Sequence, residues 1–403
     1  MIQRDVFLKQ LIHYKDNDLI KVITGIRHAG KTILLFNLFY KYLLNFGIKK
    51  SNVIAINFES NAFKDLRNPE NFLAYIKSKI KNENKYYLFV DEVQLLEKFE
   101  EVINSLKVEF NLDIYLTSSH LKLLSKIDAT LKSRFIEIKV DPLNLKEIVE
   151  YTKADVNEIF WEYIRYGGLP AVIEATDRTK KLWYLSTLDG LAVVKDIIER
   201  YGIRNEKLFL AVYNLLCSSI GSYVSPYKLS NTLKSKGYTQ VTDDTVANYL
   251  EYLCDSYLFY KVYRYDVKNK VHLKTLNKYY VCDLGMSNVE CNFIQPQMNH
   301  AIENIVYLEL IRRNYIVNIG KNRDKEISFV AKSQKDIFYI QIEYTLTVAK
   351  KKLAALNSFK NLSDGYKKII ITMDKDSTSL LENGYKKLNL YDFLLNEDAL
   401  ELV

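Results

Sequence analysis

GIRHAGKT, residues 25–32, carries two glycines at the spacing of a loop that wraps around a phosphate group. Such a loop turns its backbone N–H groups inward, and it needs backbone conformations that a Cβ atom disfavours. Lys31 is placed to reach the outer phosphates of a nucleotide, and the Thr32 hydroxyl is placed to bind Mg²⁺. The pattern predicts a site for ATP and Mg²⁺ that is lined by Gly25, Ile26, Arg27, His28, Ala29, Gly30, Lys31 and Thr32.

The chain on either side of this loop predicts a strand and a helix. LIKVIT, residues 19–24, is a short apolar run typical of a buried parallel strand, and ILLFNLFYKYLL, residues 33–44, predicts a helix. A helix that begins at the loop adds the positive end of its dipole to an anion site. An ordinary glycine-rich turn is the alternative, and the order of strand, loop and helix favours the phosphate loop.

Composition sets the broad class of the protein. The chain has 403 residues, of which 48% are hydrophobic and 26% charged, enough for several domains with their own cores. The sequence contains neither an apolar run of about eighteen residues nor a signal-peptide core, so we expect a cytoplasmic protein without a membrane segment. The four cysteines lack zinc-site spacing, and the net charge of +8 permits nucleic-acid binding without requiring it.

A second strand of the predicted sheet ends in two acids. KYYLFVDEVQ, residues 85–94, is an apolar run that leads into Asp91 and Glu92, and it resembles a Walker B motif. Asp91 would hold Mg²⁺ together with Thr32, and Glu92 would orient and polarise the attacking water. The alternative is a simple acidic turn at the end of a strand, which the phosphate loop upstream makes the weaker interpretation.

Two further positions are candidates for contact with the γ-phosphate. LDIYLTSS, residues 112–119, ends in hydroxyls, and Ser118 or Ser119 would sense the γ-phosphate unless both belong to a polar turn. Arg134 precedes the strand-like run FIEIKV and would approach the γ-phosphate from within the chain or from a neighbouring subunit. A surface ion pair is the alternative for Arg134. The predicted catalytic residues are therefore Glu92, Lys31 and Arg134.

The motifs also occur in a characteristic order, which is KVITGIRHAGKT, YLFVDEVQ, IYLTSS, KSRF, DPLNLKEIVEY, YIRYGGLP and VKDIIERYGIR. This order resembles prokaryotic AAA+ type ATPases, related to the archaeal ATPase group, that carry an uncharacterised endonuclease-like C-terminal domain. The resemblance covers essentially the whole chain. Family members usually have Arg-Ser at the positions of His28 and Ala29, where the backbone does the binding, so nucleotide binding is expected to survive.

The expected fold class is α/β multidomain. A P-loop NTPase (AAA+ like) parallel sheet is expected over residues 1–140, and a helical lid over 141–205. A winged helix-turn-helix is expected over 206–275, and a restriction-endonuclease-like α/β domain, inactive as a nuclease, over 276–403.

Three short amphipathic helices and a basic strand predict the winged helix. If it binds DNA, Thr245, Asn248 and Tyr249 would face a major groove, with Lys234 and Lys236 near phosphates. The alternative is a protein-interaction module, because winged helices in multidomain ATPases also serve as packing platforms. The residues leave these two partners open.

The C-terminal pattern of strands and helices lacks most of the residues that a Mg²⁺-dependent nuclease needs. Such nucleases use a helix Glu, a strand Asp and a Glu-x-Lys on the next strand. Glu303 supplies the first, but Ser328 stands at the Asp position, and the triplet is Gln341-Ile342-Glu343. Glu326 lies on the same strand as Ser328, two residues before it. We expect this domain to serve in binding or assembly.

The predicted function is ATP binding and hydrolysis, coupled to contacts with DNA, a protein partner or further copies of the chain. One alternative is a nucleotide-gated switch with negligible turnover. The other is an ATP-dependent, Mg²⁺-dependent nuclease.

Overall fold

The computed structural model describes residues 2–120, 134–293, 297–375, 379–381 and 384–402. The chain divides into two compact units, Met1–Leu143 with Asp255–Tyr257, and Asn144–Cys254 with Leu258–Val403. The first unit contains a five-stranded parallel sheet, and the second contains a set of helices and a nine-stranded mixed sheet.

The sheet of the first unit is formed by β1 (Ile20–Thr24), β2 (Val53–Asn57), β3 (Tyr86–Asp91), β4 (Leu112–Ser118) and β5 (Phe135–Lys139). Its spatial order is β2-β3-β4-β1-β5, and all neighbours are parallel. Every residue of β1, β3 and β4 is buried, which explains their continuous apolar sequences. Because the strands are parallel, β1, β3 and β4 all end at the same edge of the sheet.

Helices and short 3₁₀ turns connect these strands. The connection that follows β1 contains one continuous helical run. Lys31–Ile33 and Tyr40–Asn45 at its two ends are α-helical, and Leu34–Phe39 between them has π-helical hydrogen bonding. Over the described residues of the unit, the other helices are Asp5–His13, Pro69–Lys79 and Phe99–Glu109, and the 3₁₀ turns are Lys50–Asn52, Asn61–Arg67 and Val93–Leu95. Asn68 caps the helix Pro69–Lys79, and its side chain accepts hydrogen bonds from the N–H groups of Glu70 and Asn71.

The second unit begins with a run of helices. Asn144 and Glu147 form a reciprocal capping box at its first helix, which fixes where the helix starts. The α-helices up to the second sheet are Leu145–Thr152, Val156–Tyr166, Pro170–Glu174, Arg178–Trp183, Gly190–Tyr201, Glu206–Cys217, Pro226–Ser235 and Asp243–Asp255, with a π-helical turn over Tyr184–Asp189. The later helices are Leu284–Glu290, Met298–Arg312, Ala349–Ser358 and Leu390–Leu395.

The nine-stranded sheet has the order β13-β14-β12-β11-β10-β9-β7-β8-β6. Its strands are β6 (Tyr223–Val224), β7 (Phe259–Asp266), β8 (Val271–Val281), β9 (Ile316–Asn322), β10 (Lys325–Lys332), β11 (Ile337–Ile342), β12 (Lys367–Thr372), β13 (Ser379–Leu380) and β14 (Lys386–Asn389). The pairs β7/β9, β11/β12 and β12/β14 are parallel, and the others are antiparallel.

These units confirm the α/β class and the parallel sheet around the phosphate loop. The first unit ends at Leu143, close to the expected boundary at residue 140. The expected boundary at residue 275 falls inside β8, which pairs with both β6 and β7, so it does not mark a break in the fold. The three domains expected after residue 140 lie in one unit, apart from residues 141–143 and Asp255–Tyr257.

The two glycines of GGLP, residues 167–170, lie against the buried carboxylate of Asp283. Asp283 caps the helix Leu284–Glu290 and also accepts a hydrogen bond from the Gly168 N–H at 2.6 Å. Gly167 has a φ of +75°, and a Cβ at this position would lie 1.9 Å from the Asp283 carboxylate oxygen. Only glycine therefore allows this approach. Among the helices in the described ranges, none is long and apolar enough to cross a bilayer.

Candidate nucleotide site

The phosphate loop follows β1 directly and has the backbone geometry that its glycines predict. Gly25 has a φ of +135°, and a Cβ there would lie 2.0 Å from the Val140 carbonyl oxygen. Gly30 has a φ of +97° and immediately precedes the helical run that starts at Lys31. His28 also adopts a left-handed conformation, with φ +66°. Three residues of the loop thus have the positive φ values that let successive N–H groups converge.

Lys31 is buried beneath this loop. Its ammonium donates to the carbonyl oxygens of Gly25 at 2.9 Å and Ile26 at 3.0 Å. It also lies 3.7 Å from Glu92 Oε1. Burial lowers the pKa of Lys31 below its usual value, partly offset by the neighbouring carboxylates. The side chain is therefore held among oxygen atoms at the loop, where a phosphate group would compete for the same ammonium.

Asp91, the last residue of β3, faces two hydroxyl groups. Thr32 Oγ1 donates to Asp91 Oδ2 at 2.9 Å, and Thr117 Oγ1 on β4 donates to the other carboxylate oxygen. Burial raises the pKa of Asp91 to about 6. The predicted Mg²⁺ pair, Thr32 and Asp91, is thus brought together. Thr117 was missed from the sequence, where a threonine in a buried strand has no distinguishing signal.

Glu92 leaves the sheet with a strained backbone, at φ +53°. Its N–H donates to Thr117 Oγ1 at 2.9 Å, so one threonine orients both acids of the motif. Glu92 Oε2 accepts hydrogen bonds from Gln94 Nε2 and, at 2.9 Å, from Ser119 Oγ. Burial by itself would raise the pKa of Glu92, but Lys31 and these donors outweigh it and hold the pKa below its usual value.

The two serines at the end of β4 differ in their contacts. Ser119 Oγ contacts Glu92, as described above. Ser118 Oγ accepts instead from the N–H of His120 at 3.1 Å, within the turn. Ser118 therefore contacts the backbone of the turn, and Ser119 is the serine that lies beside the acids. Contact of Ser118 with the γ-phosphate stays a prediction. Whether Ser119 contacts a nucleotide stays a prediction.

The variable positions of the loop are held by side-chain contacts. Ile26 and Ala29 are buried, and Arg27 forms an ion pair with Glu59 at the end of β2. Burial lowers the pKa of His28, and the charges of Arg27 and Lys31 lower it further. His28 is therefore neutral near pH 7. The contacts of these residues with phosphate groups stay a prediction.

Arg134 is far from this site in its own chain. β5 runs parallel to β1 with Phe135 opposite Ile20, so Arg134 precedes the amino end of its strand, whereas the loop follows the carboxyl end. The two ends are about 13 Å apart over four strand steps of about 3.3 Å. The Arg134 guanidinium donates to Asn104 Oδ1 at 2.7 Å. The prediction that it reaches the γ-phosphate within the chain is wrong, and contact with a neighbouring subunit stays a prediction.

Arg4 also contacts the loop, although its sequence position did not indicate it. This buried guanidinium donates to the carbonyl oxygen of Ala29 in the loop at 2.9 Å and to that of Asp141 at 2.7 Å. It joins the loop to the segment that follows β5. The only sequence signal is an arginine ahead of an amphipathic helix, which is too common to indicate this contact.

The donor set fits a nucleotide and a divalent cation. Gly25 and Gly30 have positive φ values, the Thr32 hydroxyl and the Asp91 carboxylate already contact each other, and Lys31 lies under the loop. Hydroxyl and carboxylate oxygens are ligands that Mg²⁺ prefers. The backbone, metal and lysine parts of a phosphate-binding site therefore meet at one edge of one sheet.

In the second unit, the residues expected at a nuclease site form other contacts. The Lys278 ammonium donates to both oxygens of Glu303, at 3.2 and 3.4 Å, and to Glu326 Oε1 at 2.6 Å. We call Lys278, Glu303 and Glu326 the charged cluster. Among the described residues, no group of three or more His, Cys, Asp or Glu side chains is arranged to hold a metal ion.

Ser328 and the Gln341 triplet bond to each other and to their neighbours. The Ser328 N–H donates to Gln341 Oε1 at 3.2 Å, and Ser328 Oγ accepts from the Ile342 N–H at 3.2 Å. Glu343 accepts from Asn299 Nδ2 at 3.2 Å. These hydrogen bonds tie β10 to β11 and link Glu343 to the helix Met298–Arg312.

The helix Asp243–Asp255 presents only part of its expected face. Asn248 is exposed and Thr245 is partly exposed, with its hydroxyl bonded to Thr242 Oγ1 at 2.9 Å. Tyr249 is only 8% exposed and packs edge-on against Phe209. The prediction that Tyr249 faces a groove is wrong, because the residue joins the apolar stripe of its helix. Lys234 and Lys236 are exposed as expected.

Comparisons with known proteins agree with this geometry. Residues 17–149 match the family model described as an AAA domain, and residues 157–295 match a domain of unknown function (DUF8612). A Haemophilus influenzae protein described as uncharacterized is 36% identical over 379 residues, covering 92% of this chain and 93% of its own. Uncharacterized protein MJ1544 of Methanocaldococcus jannaschii is 30% identical over 428 residues, covering 100% of this chain and 90% of its own.

Among solved structures, the Walker-type ATPase PABY2304 of Pyrococcus abyssi aligns with 72% of this chain and 96% of its own, with 17% identity and a TM-score of 0.46. The two curated relatives are similar over almost their whole length, well beyond the segment that matches the AAA model. The chain therefore belongs to the same protein family as the Haemophilus influenzae and Methanocaldococcus jannaschii proteins, and it carries an AAA domain in its first unit.

Proposed function

We propose that this protein binds ATP with Mg²⁺ at the phosphate loop and hydrolyses it to ADP and phosphate. The single observation that carries the proposal is the meeting of Lys31, Thr32, Asp91 and Glu92 at the carboxyl edge of the parallel sheet. Each residue is of the chemical type that phosphoryl transfer needs at its position. The match of residues 17–149 to an AAA domain supports the same conclusion.

The roles follow from the contacts of each side chain. Backbone N–H groups of the loop would hold the phosphates, and Lys31 would leave its carbonyl partners for the β- and γ-phosphates. Thr32 and Asp91 would hold the cation, which, when bound, neutralises charge on the phosphate oxygens. Glu92 would accept a proton from the water whose oxygen bonds to the γ-phosphorus, as the bond to the β,γ-bridging oxygen breaks and ADP leaves.

A switch with negligible turnover is the competing function, and one observation favours it. The Glu92 carboxylate is engaged by Gln94, Ser119 and Lys31, and its pKa is held below the usual value. A carboxylate in this state is a weak base. Turnover would then need a rearrangement that a partner molecule supplies.

We propose that the second unit makes the partner contact. Helices Glu206–Cys217, Pro226–Ser235 and Asp243–Asp255, with β6, β7 and β8, follow the order of a winged helix. The exposed positions of the third helix include Asp244, Asn248 and Glu251, and its sequence contains no Lys or Arg. Acidic side chains repel DNA phosphates, so this face supports a protein partner better than a major-groove contact.

DNA contact through other parts of this segment stays open. Lys268 and Lys270 lie in the turn between β7 and β8, where a wing would meet a phosphate backbone. We also propose that the preceding helices, residues 141–205, act as a lid that responds to nucleotide, since their sequence resembles AAA+ lids.

Nuclease activity has the least support. The order of helix Met298–Arg312, antiparallel β9, β10 and β11, helix Ala349–Ser358, and β12 parallel to β11 supports an endonuclease-like arrangement. However, the Lys278 ammonium lies between Glu303 and Glu326, where a cation would have to bind. We infer that this arrangement serves in binding or assembly.

One assay tests these alternatives together. ATP turnover is measured for the wild type, Lys31→Ala and Glu92→Gln, with plasmid DNA, with duplex oligonucleotide and without DNA, and the plasmid is then inspected on a gel. We expect turnover to be lost in both variants, nucleotide binding to be lost only in Lys31→Ala, and the plasmid to stay intact. Glu101→Gln, an exposed acid of the same unit, is the matched control.

The outcomes separate the functions. Wild-type binding without turnover under all conditions would favour the switch. Plasmid cleavage that Glu303→Ala abolishes would revive the nuclease. Failure of the wild type to bind ATP would contradict the whole proposal.

A further inference from the structure

Gln94 lies beside Glu92 in the 3₁₀ turn Val93–Leu95, directly after β3. Its Nε2 donates to Glu92 Oε2 and lies 3.4 Å from Ser119 Oγ. Ser119 Oγ donates to the same carboxylate oxygen at 2.9 Å. Glu92, Gln94 and Ser119 therefore form a closed set of hydrogen bonds at the site.

The direction of these bonds fixes the orientation of the Gln94 amide. A carboxylate oxygen only accepts hydrogen bonds, so the amide must present its NH₂ group to Glu92. The amide oxygen Oε1 then faces away from Glu92 Oε2. This oxygen is buried and accepts no hydrogen bond from any residue that the structure describes.

A buried amide oxygen without a donor is costly, and native proteins supply such atoms with a partner or a water. Here the oxygen belongs to a residue that already holds the proposed general base. A donor that occupied this place would be bound by the same side chain that binds Glu92. The attacking water is a molecule of the right chemistry, because it has two O–H groups to donate.

We propose that Gln94 Oε1 accepts one hydrogen bond from the attacking water while Glu92 accepts the other. This inference rests on the proposed ATP hydrolysis and adds a second catalytic residue to it. With both O–H groups accepted, the lone pair of the water oxygen is directed at the γ-phosphorus. The new oxygen–phosphorus bond forms as the bond to the bridging oxygen breaks, ADP takes that electron pair, and the water proton passes to Glu92.

The test uses Gln94→Met in the full chain, because methionine has a similar length but lacks both the NH₂ donor and the oxygen acceptor of the amide. Gln10→Met, in the helix Asp5–His13 of the same unit, is the matched control. Calorimetry measures the affinity for ADP alone and for ADP with Mg²⁺ and aluminium fluoride, a mimic of the transferred phosphoryl group. The kcat, the KM for ATP and the thermal unfolding midpoint of the nucleotide-free protein are measured beside it.

We expect Gln94→Met to lose about 10- to 100-fold in affinity for the aluminium fluoride complex and a similar factor in kcat. Affinity for ADP and the KM should stay within about twofold, and the unfolding midpoint should match that of Gln10→Met. A fall in ADP affinity together with a lower unfolding midpoint would show a merely structural role and overturn the proposal.

Gln94→Lys distinguishes the hydrogen-bond donor of the amide from its acceptor. Lysine keeps a donor toward Glu92 but has no acceptor, so we expect it to lose the aluminium fluoride complex as Gln94→Met does. Wild-type values in Gln94→Lys would mean that Gln94 only holds Glu92, which would overturn the proposal. Suppose the wild type binds ADP with Mg²⁺ and aluminium fluoride more tightly than ADP alone, and Gln94→Met keeps the same ratio of the two affinities. The role of Gln94 is then contradicted, while the proposed ATP hydrolysis is not. If the wild type binds neither, ATP hydrolysis fails with it.

Discussion

Two sites in this molecule each combine a buried lysine with two acids, and they differ in what the lysine contacts. Lys31 and Lys278 are both 4% exposed, and Glu92 and Glu303 are 6% and 5% exposed, so burial does not distinguish them. Lys31 donates to loop carbonyl oxygens and lies 3.7 Å from the nearest Glu92 oxygen. Lys278 donates directly to both acids of the charged cluster.

The electrostatic consequences are opposite. Burial lowers the pKa of Lys31, whose neighbours only partly compensate. Burial also acts to lower the pKa of Lys278, but Glu303 and Glu326 outweigh it and raise the pKa. In the first site, the acids are held by hydroxyl and amide groups, and the ammonium can turn to a phosphate. In the charged cluster, the ammonium is already paired with both carboxylates. The same residue types therefore have different contacts in the two sites, and we expect the first to bind a ligand and the second to stabilise the fold.

The largest expected effect comes from removing each lysine. Lys278→Met leaves two acids without their counterion, and we expect the second unit to lose about 3 kcal/mol of unfolding free energy. Trp161 and Trp183 are the only tryptophans and both lie in this unit, so their fluorescence during urea unfolding reports on it. The double variant Lys278→Met/Glu303→Gln should recover about half of the loss.

Lys31→Met is the matched change in the other site. It should leave the tryptophan transition unchanged and abolish nucleotide binding. Equal destabilisation by both single variants would contradict the division between a binding site and a stabilising cluster.

A smaller effect is expected from pH at the nucleotide site. Burial raises the pKa of Asp91 to about 6 in the nucleotide-free protein, from a usual value of 3.8. The folded carboxyl thus holds its proton more tightly than the unfolded one, and folding stability from this group is lost as pH rises from about 4 to about 6. Mg²⁺ needs the ionised form, so Mg²⁺-dependent ATP affinity should fall about tenfold per pH unit below about 6.

Calorimetry over this pH range, with and without Mg²⁺, measures the effect. Asp91→Asn is the control, because asparagine cannot ionise. This variant should lose the part of the pH dependence of Mg²⁺-dependent ATP affinity that Asp91 causes. A Mg²⁺-dependent affinity that is the same at pH 5 and pH 7 would argue against Asp91 as a metal ligand.

The smallest effect is expected from Arg134→Ala. In its own chain this residue lies at the opposite sheet edge and donates to Asn104, so the kcat for ATP should change less than about twofold. Asn104→Ala removes the partner and serves as the control. A loss of about a thousandfold, together with a kcat that rises with protein concentration, would instead show that a neighbouring copy uses Arg134.

Much of the first unit could be predicted because its signals are local. The apolar runs of β1, β3 and β4 identify buried parallel strands, and the carboxyl ends of such strands share one edge. Asp91 and Glu92 could therefore be placed beside the loop from their positions in the chain. Gly30 is also local, since its own backbone has a positive φ, whereas Gly25 combines a positive φ with a close approach to Val140.

Other features depended on contacts between distant segments. Thr117 and Gln94 became part of the site only through the directions of their side chains. Arg134 and Tyr249 were misplaced because a sequence position gives neither the strand register nor the exact face of a helix. The boundary expected at residue 275 lies within β8, which pairs on both sides with strands from earlier in the chain.

The sequence by itself determined that a phosphate loop, its lysine and two acids lie at one edge of a parallel sheet, because glycine spacing and strand ends are properties of short segments. Only the tertiary structure decided which of the two lysines is paired directly with both of its neighbouring acids. That difference depends on whether the lysine reaches the acids directly, which for Lys278 and Glu303 is a contact across 25 residues of sequence.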